Sequence, residues 1–156
     1  MKFALTTISF VATSLAASLP SSFTLVAEGG NTLLTDGNHA LIAPHLANHL
    51  PILILNRIGD QITYTSDDAP PFTWQNLYVV EGDIEPIGLT NPYTGAMPAN
   101  ASISGFGVNE QGHLTHKGNT EFGTLAAAED DKPIWWLGYS SGRFDGVPLW
   151  VKELRM

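Results

Sequence analysis

The sequence contains no cysteine. Disulfide bonds, cysteine-ligated zinc and thiol nucleophiles are therefore excluded together. A folded chain without such cross-links must take its stability from an apolar core, and hydrophobic residues make up 44% of this sequence. Its ten prolines contribute because each restricts the conformations of the unfolded chain.

Basic residues are also few. Seven lysines and arginines stand against fifteen aspartates and glutamates, so the formal net charge is −8 at pH 7. A protein of this charge repels nucleic acid and anionic lipid, and we expect neither as a partner. The acidity suits solubility in an acidic medium and does not by itself identify a ligand.

Long apolar runs are missing except at the start of the chain. Lys2 precedes an apolar stretch over residues 3–17 that ends in small residues, which is the pattern of a secretory signal peptide. The stretch is too short and too rich in Thr and Ser for a membrane-spanning helix. We therefore predict a signal peptide at residues 1–17 and a single domain over residues 18–156. The protein is expected to be secreted, extracellular or cell-wall-bound, with no membrane contact after cleavage.

The rest of the chain is typical of an all-β protein. Helical periodicity is weak, and short runs rich in β-branched and aromatic residues are separated by Gly, Pro, Asn or Asp about every ten residues. Short helices are expected at residues 44–50 and 125–131, and an ordered surface loop at residues 91–100, where prolines and glycine disfavour regular structure. Twelve strands are predicted, at residues 23–27, 32–35, 40–43, 52–57, 61–65, 75–81, 84–90, 103–109, 113–116, 120–125, 134–139 and 148–154.

The predicted architecture is a single compact antiparallel β-sandwich or irregular β-barrel. Twelve short strands also suit a β-trefoil, which is the alternative. Residues 23–30 faintly echo residues 106–112, but no third copy is visible at a similar spacing. The sandwich or irregular barrel is therefore preferred.

Catalytic and metal-binding motifs are absent. The sequence has no GxSxG, no phosphate-binding glycine loop and no HExxH. His45 and His49 are four residues apart, a spacing compatible with metal on a short helix, but no third ligand sits at a motif position. His113 and His116, three apart in a strand, would point to opposite faces. We therefore predict no metal site, no cofactor and no catalytic residue.

Three alternating acids keep one enzymatic alternative open. Glu81, Asp83 and Glu85 would share one face of a continuous strand and could form the acid and nucleophile of a glycosidase. Gly82 favours a turn instead, in which the acids simply meet water. A small acidic glycoside hydrolase is accordingly a second alternative to the functions below.

Aromatic residues offer a binding surface. Trp135 and Trp136 are adjacent, so on a strand one points inward and the other outward. A solvent-facing tryptophan can stack on a sugar ring, and tyrosines can extend such a platform. The predicted ligand-binding residues are Trp135, Trp136, Tyr139 and Tyr93, with cell-wall polysaccharide or another surface glycan as the partner.

One N-glycosylation sequon, Asn100-Ala101-Ser102, lies in the predicted surface loop. A proline-bounded loop is a suitable position for an accessible acceptor. We therefore predict glycosylation at Asn100 in a eukaryotic secretory pathway.

The second half of the chain carries a series of short elements in a characteristic order. They are Ile87-Gly88-Leu89, Met97-Pro98-Ala99-Asn100, Gly105-Phe106, Gly112-His113-Leu114-Thr115, Pro133-Ile134-Trp135-Trp136 and residues 144–151. This order resembles that of the fungal PhiA-type cell wall proteins and the related IgE-binding proteins. Members of that family usually carry cysteine pairs, which are absent here. The resemblance implies a secreted, wall-associated protein connected with conidium and phialide development, without an established active site.

Three functions follow from these observations. The first is a non-enzymatic secreted protein of a fungal cell wall or surface. The second is a secreted carbohydrate-binding module or effector that recognises a wall or host glycan through exposed aromatics. The third is the small acidic hydrolase.

Overall fold

The computed structural model describes residues 18–126, 131–137 and 142–155. The predicted signal peptide and Tyr139 lie outside the described residues. The regular structure is almost entirely β-strand, which confirms the predicted all-β fold. The strands are β1 (Ser22–Ala27), β2 (Asn31–Thr32), β3 (Leu34–Thr35), β4 (Ala40–Ile42), β5 (Leu55–Ile58), β6 (Gln61–Tyr64), β7 (Gln75–Val80), β8 (Glu85–Pro86), β9 (Gly88–Leu89), β10 (Ala101–Ser102), β11 (Phe106–Val108), β12 (Leu114–His116), β13 (Phe122–Leu125), β14 (Lys132–Pro133), β15 (Trp135–Trp136), β16 (Phe144–Gly146) and β17 (Trp150–Glu153).

The helical predictions agree less well with the structure than the strand predictions do. A single 3₁₀ turn, Pro44–Leu46, replaces the helix predicted at residues 44–50. Leu125 ends β13 rather than opening a helix, and residues 127–130 lie outside the described part. The predicted surface loop at residues 91–100 is present as turns and irregular segments without strand pairing. In the described part of the chain, no helix has the length and apolarity needed to cross a membrane.

All the strand ladders are antiparallel. The largest sheet has the order β10-β7-β6-β5-β1-β17, with β2 on β1 and β9 on β7; the others are β11-β12, β16-β13-β15-β8 and β14-β4-β3. Among the described residues, no sheet closes into a barrel through continuous ladders. Strands of all four sheets contribute to one apolar core, as expected for a β-sandwich.

The order of neighbours repeats three times along the chain. Six strands, β1, β5, β6, β11, β12 and β17, follow one another in a ring. Two junctions of the ring lie outside the strand ladders. Phe106 N donates to Asp60 O (3.1 Å) at one of them, and Leu114 N donates to Leu149 O (2.8 Å) and Val151 N to Gly112 O (2.9 Å) at the other. Hairpins β3-β4, β7-β9 and β13-β15 come between the ring strands and pair with one another at their ends.

A β-trefoil, the alternative architecture, has the same threefold order of neighbours, but among the described residues continuous ladders do not join the six strands into a barrel, and the sheets are those of a β-sandwich. The sequence echo between residues 23–30 and 106–112 does not reflect this threefold order. Residues 23–30 include β1, which opens the first third of the order, whereas residues 106–112 include β11, which closes the second third. The threefold order was not visible in the sequence because it depends on strand pairing and burial rather than on shared residues.

The core consists of aliphatic and aromatic side chains contributed by most of the strands. The largest fully buried ones include Phe23, Leu25, Leu55, Leu77 and Phe122. Gly88 is required for close packing, since a Cβ there would lie 2.5 Å from the Tyr78 hydroxyl oxygen. This packing fixes the strand ends from which the loops of the candidate site emerge.

Candidate binding cleft

A cleft of about 260 Å³ opens beside the ends of β6 and β7. Its walls come from residues 36–38, from residues 64–75 and from residues 92–93, and we call it the aromatic cleft. A shallower depression of about 310 Å³ continues from it and shares Trp74 and Tyr93 with it. Three turns that are distant in sequence therefore form one concave surface.

The floor of the aromatic cleft is polar and fixed. Gln75 is 5% exposed, and its Nε2 donates to Gly37 O (2.8 Å) and Thr90 O (2.9 Å). These two bonds set the orientation of the amide and leave its Oε1 without a partner among the described residues. Burial raises the pKa of the Tyr64 phenol beside it, so Tyr64 stays protonated at neutral pH.

Aromatic side chains stand along the rim of the aromatic cleft and of the depression beside it. Trp74 is 55% exposed, Tyr93 75% and Phe72 96%. Phe72 has a φ of +65°, a left-handed conformation that is uncommon for a bulky residue. Asn91 Oδ1 accepts the backbone N–H groups of Tyr93 (2.8 Å) and Thr94 (3.0 Å). The aromatic rings are thus carried on hydrogen-bonded turns.

Two acids complete the rim. Asp36 precedes Gly37, whose φ of +91° makes the tight turn between β3 and β4. The Asp36 Oδ1 accepts the backbone N–H groups of Asn38 (2.9 Å) and His39 (2.8 Å), which leaves Oδ2 for other partners. Asp68, in the loop after β6, also lines the cleft and is exposed.

The structure places the residues of the predicted aromatic platform in different environments. Tyr93 lies on the aromatic cleft, but Trp136 is 5% exposed and packs edge-on against Phe122 at 5.0 Å. It cannot offer a ring face to a ligand. Trp135 is half-buried and covered by Phe144 at 5.4 Å, and Tyr139 lies outside the described residues.

Sequence reasoning missed Phe72 and Trp74. Both follow a run, residues 66–71, that is rich in Ser, Asp and Pro, and such a run predicts an exposed loop. Aromatic residues in an exposed loop do not pack in the core, and their position in this loop was the sequence signal for a binding surface. The strand pairing that brings the loop beside Tyr93 had no sequence signal.

Neither of the two histidine pairs noted in the sequence has a third candidate metal ligand beside it among the described residues. The described residues hold no group of three or more His, Asp or Glu placed to hold a metal ion. His45 Nε2 lies 2.9 Å from Asp131 Oδ1 at the surface, and His49 is exposed. His113 packs edge-on against Trp150 at 4.9 Å, while His116 enters the core between Phe106 and Trp136.

Glu81 is held by two basic groups. Its Oε1 lies 2.6 Å from Lys117 Nζ and 3.0 Å from Nε2 of the buried His116. Hydrogen bonds from Lys117 and then from His116 lower the pKa of the Glu81 carboxyl below its usual 4.5. Asp83 and Glu85 are exposed, so the three acids do not share one environment.

This contact predicts a pH dependence of stability. The ionised Glu81 stabilises the folded state above about pH 4.5, because its pKa is lower in the folded than in the unfolded chain. The stabilisation is lost as the pH falls through the folded-state pKa. Glu81 is part-exposed, so we expect an effect below about 1 kcal/mol. In urea unfolding between pH 3 and pH 7, roughly the range of carboxylate titration, Glu81→Gln should show a flatter acid slope than the natural chain. An unchanged slope would contradict this assignment.

The sequon lies in an accessible position. Asn100 is exposed, has a φ of +61°, and its carbonyl accepts the Glu81 backbone N–H at 3.0 Å. Secretion from a eukaryotic host should therefore yield protein whose mass falls on treatment with peptide N-glycosidase. Asn100→Gln should remove the difference, and an untreated mass equal to that of the bare polypeptide would contradict the prediction.

No protein-family model, no curated protein and no solved structure matches the chain.

Proposed function

We propose that this protein is a secreted, non-enzymatic surface or cell-wall protein that binds polysaccharide in the aromatic cleft. The observation that carries the proposal is the position of three exposed aromatic side chains, Phe72, Trp74 and Tyr93, beside a cavity with a polar floor. Sugar rings combine apolar faces with polar edges. A surface that binds them places aromatic faces next to fixed hydrogen-bonding groups.

The extent of the surface favours an oligosaccharide over a single sugar. The aromatic cleft and the depression beside it share Trp74 and Tyr93, so together they form a continuous path. Phe72 lines the depression and not the aromatic cleft. Such an arrangement suits several consecutive sugar units of a polysaccharide.

The hydrolase alternative has less support. A glycosidase needs one carboxylic acid that stays protonated at the working pH, which requires a raised pKa. Glu81 has a lowered pKa, because Lys117 and His116 stabilise its ionised form. Incubation with soluble polysaccharides should accordingly release no reducing ends.

Export and wall association are parts of the same proposal. The apolar leader at residues 1–17 supports secretion, and the resemblance to PhiA-type proteins supports a fungal wall. A surface that binds polysaccharide would hold such a protein on the cell wall after export.

Retention on insoluble polysaccharides tests the proposal. The full chain, secreted from a eukaryotic host, would be mixed with chitin, chitosan, β-glucan or an inert resin, and the unbound fraction measured. We expect saturable retention on at least one polysaccharide. Retention on none of them above the level of the inert resin would contradict the proposal.

A further inference from the structure

We infer that the aromatic cleft prefers a cationic amino-sugar polymer, whose amines are not acetylated, over its neutral acetylated counterpart. This inference rests on the proposed function and concerns the class of glycan. The acids, the acceptor on the floor and the aromatic rings all favour a ligand that brings positive charge and hydrogen-bond donors.

The charge of the aromatic cleft has one sign. Asp36 and Asp68 line it, whereas no Lys, Arg or His is among its lining residues. Within the described part of the chain, neither acid forms an ion pair. A ligand that carries ammonium groups would supply the missing counter-charges.

The next repeat provides an internal comparison. The turn Glu81-Gly82-Asp83 follows β7 as Asp36-Gly37-Asn38 follows β3, and both glycines have φ near +80° to +91°. At the Glu81 turn, Lys117 forms an ion pair with the acid, and His116 at the end of β12 makes a hydrogen bond to it. The last residue of β6 and the residue after it, which take the places of His116 and Lys117, are Tyr64 and Thr65, and neither carries a charge.

The floor and the aromatic rings fit the same ligand. Gln75 is more than nine-tenths buried, and its fixed amide leaves Oε1 as an acceptor without a partner among the described residues. An ammonium group carries three donors and suits an acceptor of this kind. Trp74 and Tyr93 add electron-rich ring faces, which attract cations.

The experiment compares two oligomers of the same length and linkage, a β-1,4-glucosamine tetramer and its fully N-acetylated form. Calorimetric titration is done at a pH that keeps the amines protonated and the carboxylates ionised. We expect the cationic tetramer to bind about tenfold more tightly than the neutral one, and its affinity to fall with added salt.

Paired variants locate the effect. Asp36→Asn with Asp68→Asn should weaken the cationic tetramer about tenfold and change the neutral one less than about twofold. Asparagine keeps the Oδ1 acceptor that the β3-β4 turn needs. Asp83→Asn with Asp145→Asn removes two exposed acids outside the cleft, and this control should change neither affinity.

Each contrary outcome has a distinct meaning. Equal affinities for the two tetramers, or equal losses in the two double variants, would overturn the inference while leaving polysaccharide binding intact. Binding of neither tetramer, together with no retention on any polysaccharide, would overturn the proposed function as well.

Discussion

Replacing Trp74 with alanine should weaken polysaccharide binding about thirtyfold and leave the fold intact. Exposed aromatic anchors at the centre of a binding surface commonly contribute about 2 kcal/mol, which corresponds to that factor. Trp74 is 55% exposed and lines both the aromatic cleft and the adjoining depression, so its loss removes part of the wall that they share. The affinity for the best-retained polysaccharide and the thermal unfolding midpoint should be measured together.

Trp150→Ala is the matched control. Trp150 is 39% exposed and contacts His113, and it lines neither the aromatic cleft nor the depression. We expect its replacement to leave the affinity within about twofold. If Trp150→Ala removed binding and Trp74→Ala did not, the glycan surface would lie elsewhere.

The second large effect concerns stability. Phe122→Ala should lower the free energy of unfolding by about 3–5 kcal/mol, because it removes a fully buried ring and leaves a cavity. Phe122 is 1% exposed and packs against Trp136 at 5.0 Å, where β13 and β15 pair. Urea unfolding of the variant and the natural chain measures the difference.

Phe72→Ala makes the same substitution at an exposed position and is the control. Phe72 is 96% exposed, so its truncation should change the free energy of unfolding by less than about 0.5 kcal/mol. It should nonetheless reduce retention on polysaccharide. A loss above about 2 kcal/mol for Phe72→Ala, or below about 1 kcal/mol for Phe122→Ala, would contradict the described packing.

The positions of the strands could be predicted because they depend on local signals. Runs of β-branched and aromatic residues end at glycines and prolines, and these marked the regions of β1, β7 and β12 correctly. Finer breaks were not visible. Residues 84–90 form two strands, β8 and β9, because the first pairs with β15 and the second with β7.

The pairing of strands had no comparable signal. Register and neighbour order depend on contacts between residues that are far apart in sequence, such as the bond from Phe106 to Asp60. Local alternation predicted that Trp135 and Trp136 point to opposite sides of the strand. The contact between Trp135 and Phe144 depends on strand pairing and could not be predicted. The aromatic cleft is formed by three turns that are distant in sequence. Among its lining residues, only Tyr93 had been predicted to bind a ligand.

The most direct test of polysaccharide binding in the aromatic cleft uses the four tryptophan indole N–H signals in the nuclear magnetic resonance spectrum of the labelled protein. A soluble oligomer of the best-retained polysaccharide is titrated in. We predict that the Trp74 indole and the Gln75 side-chain amide shift, while Trp135, Trp136 and Trp150 do not. Shifts confined to Trp135 or Trp150, or no shift at saturating oligomer, would contradict the account.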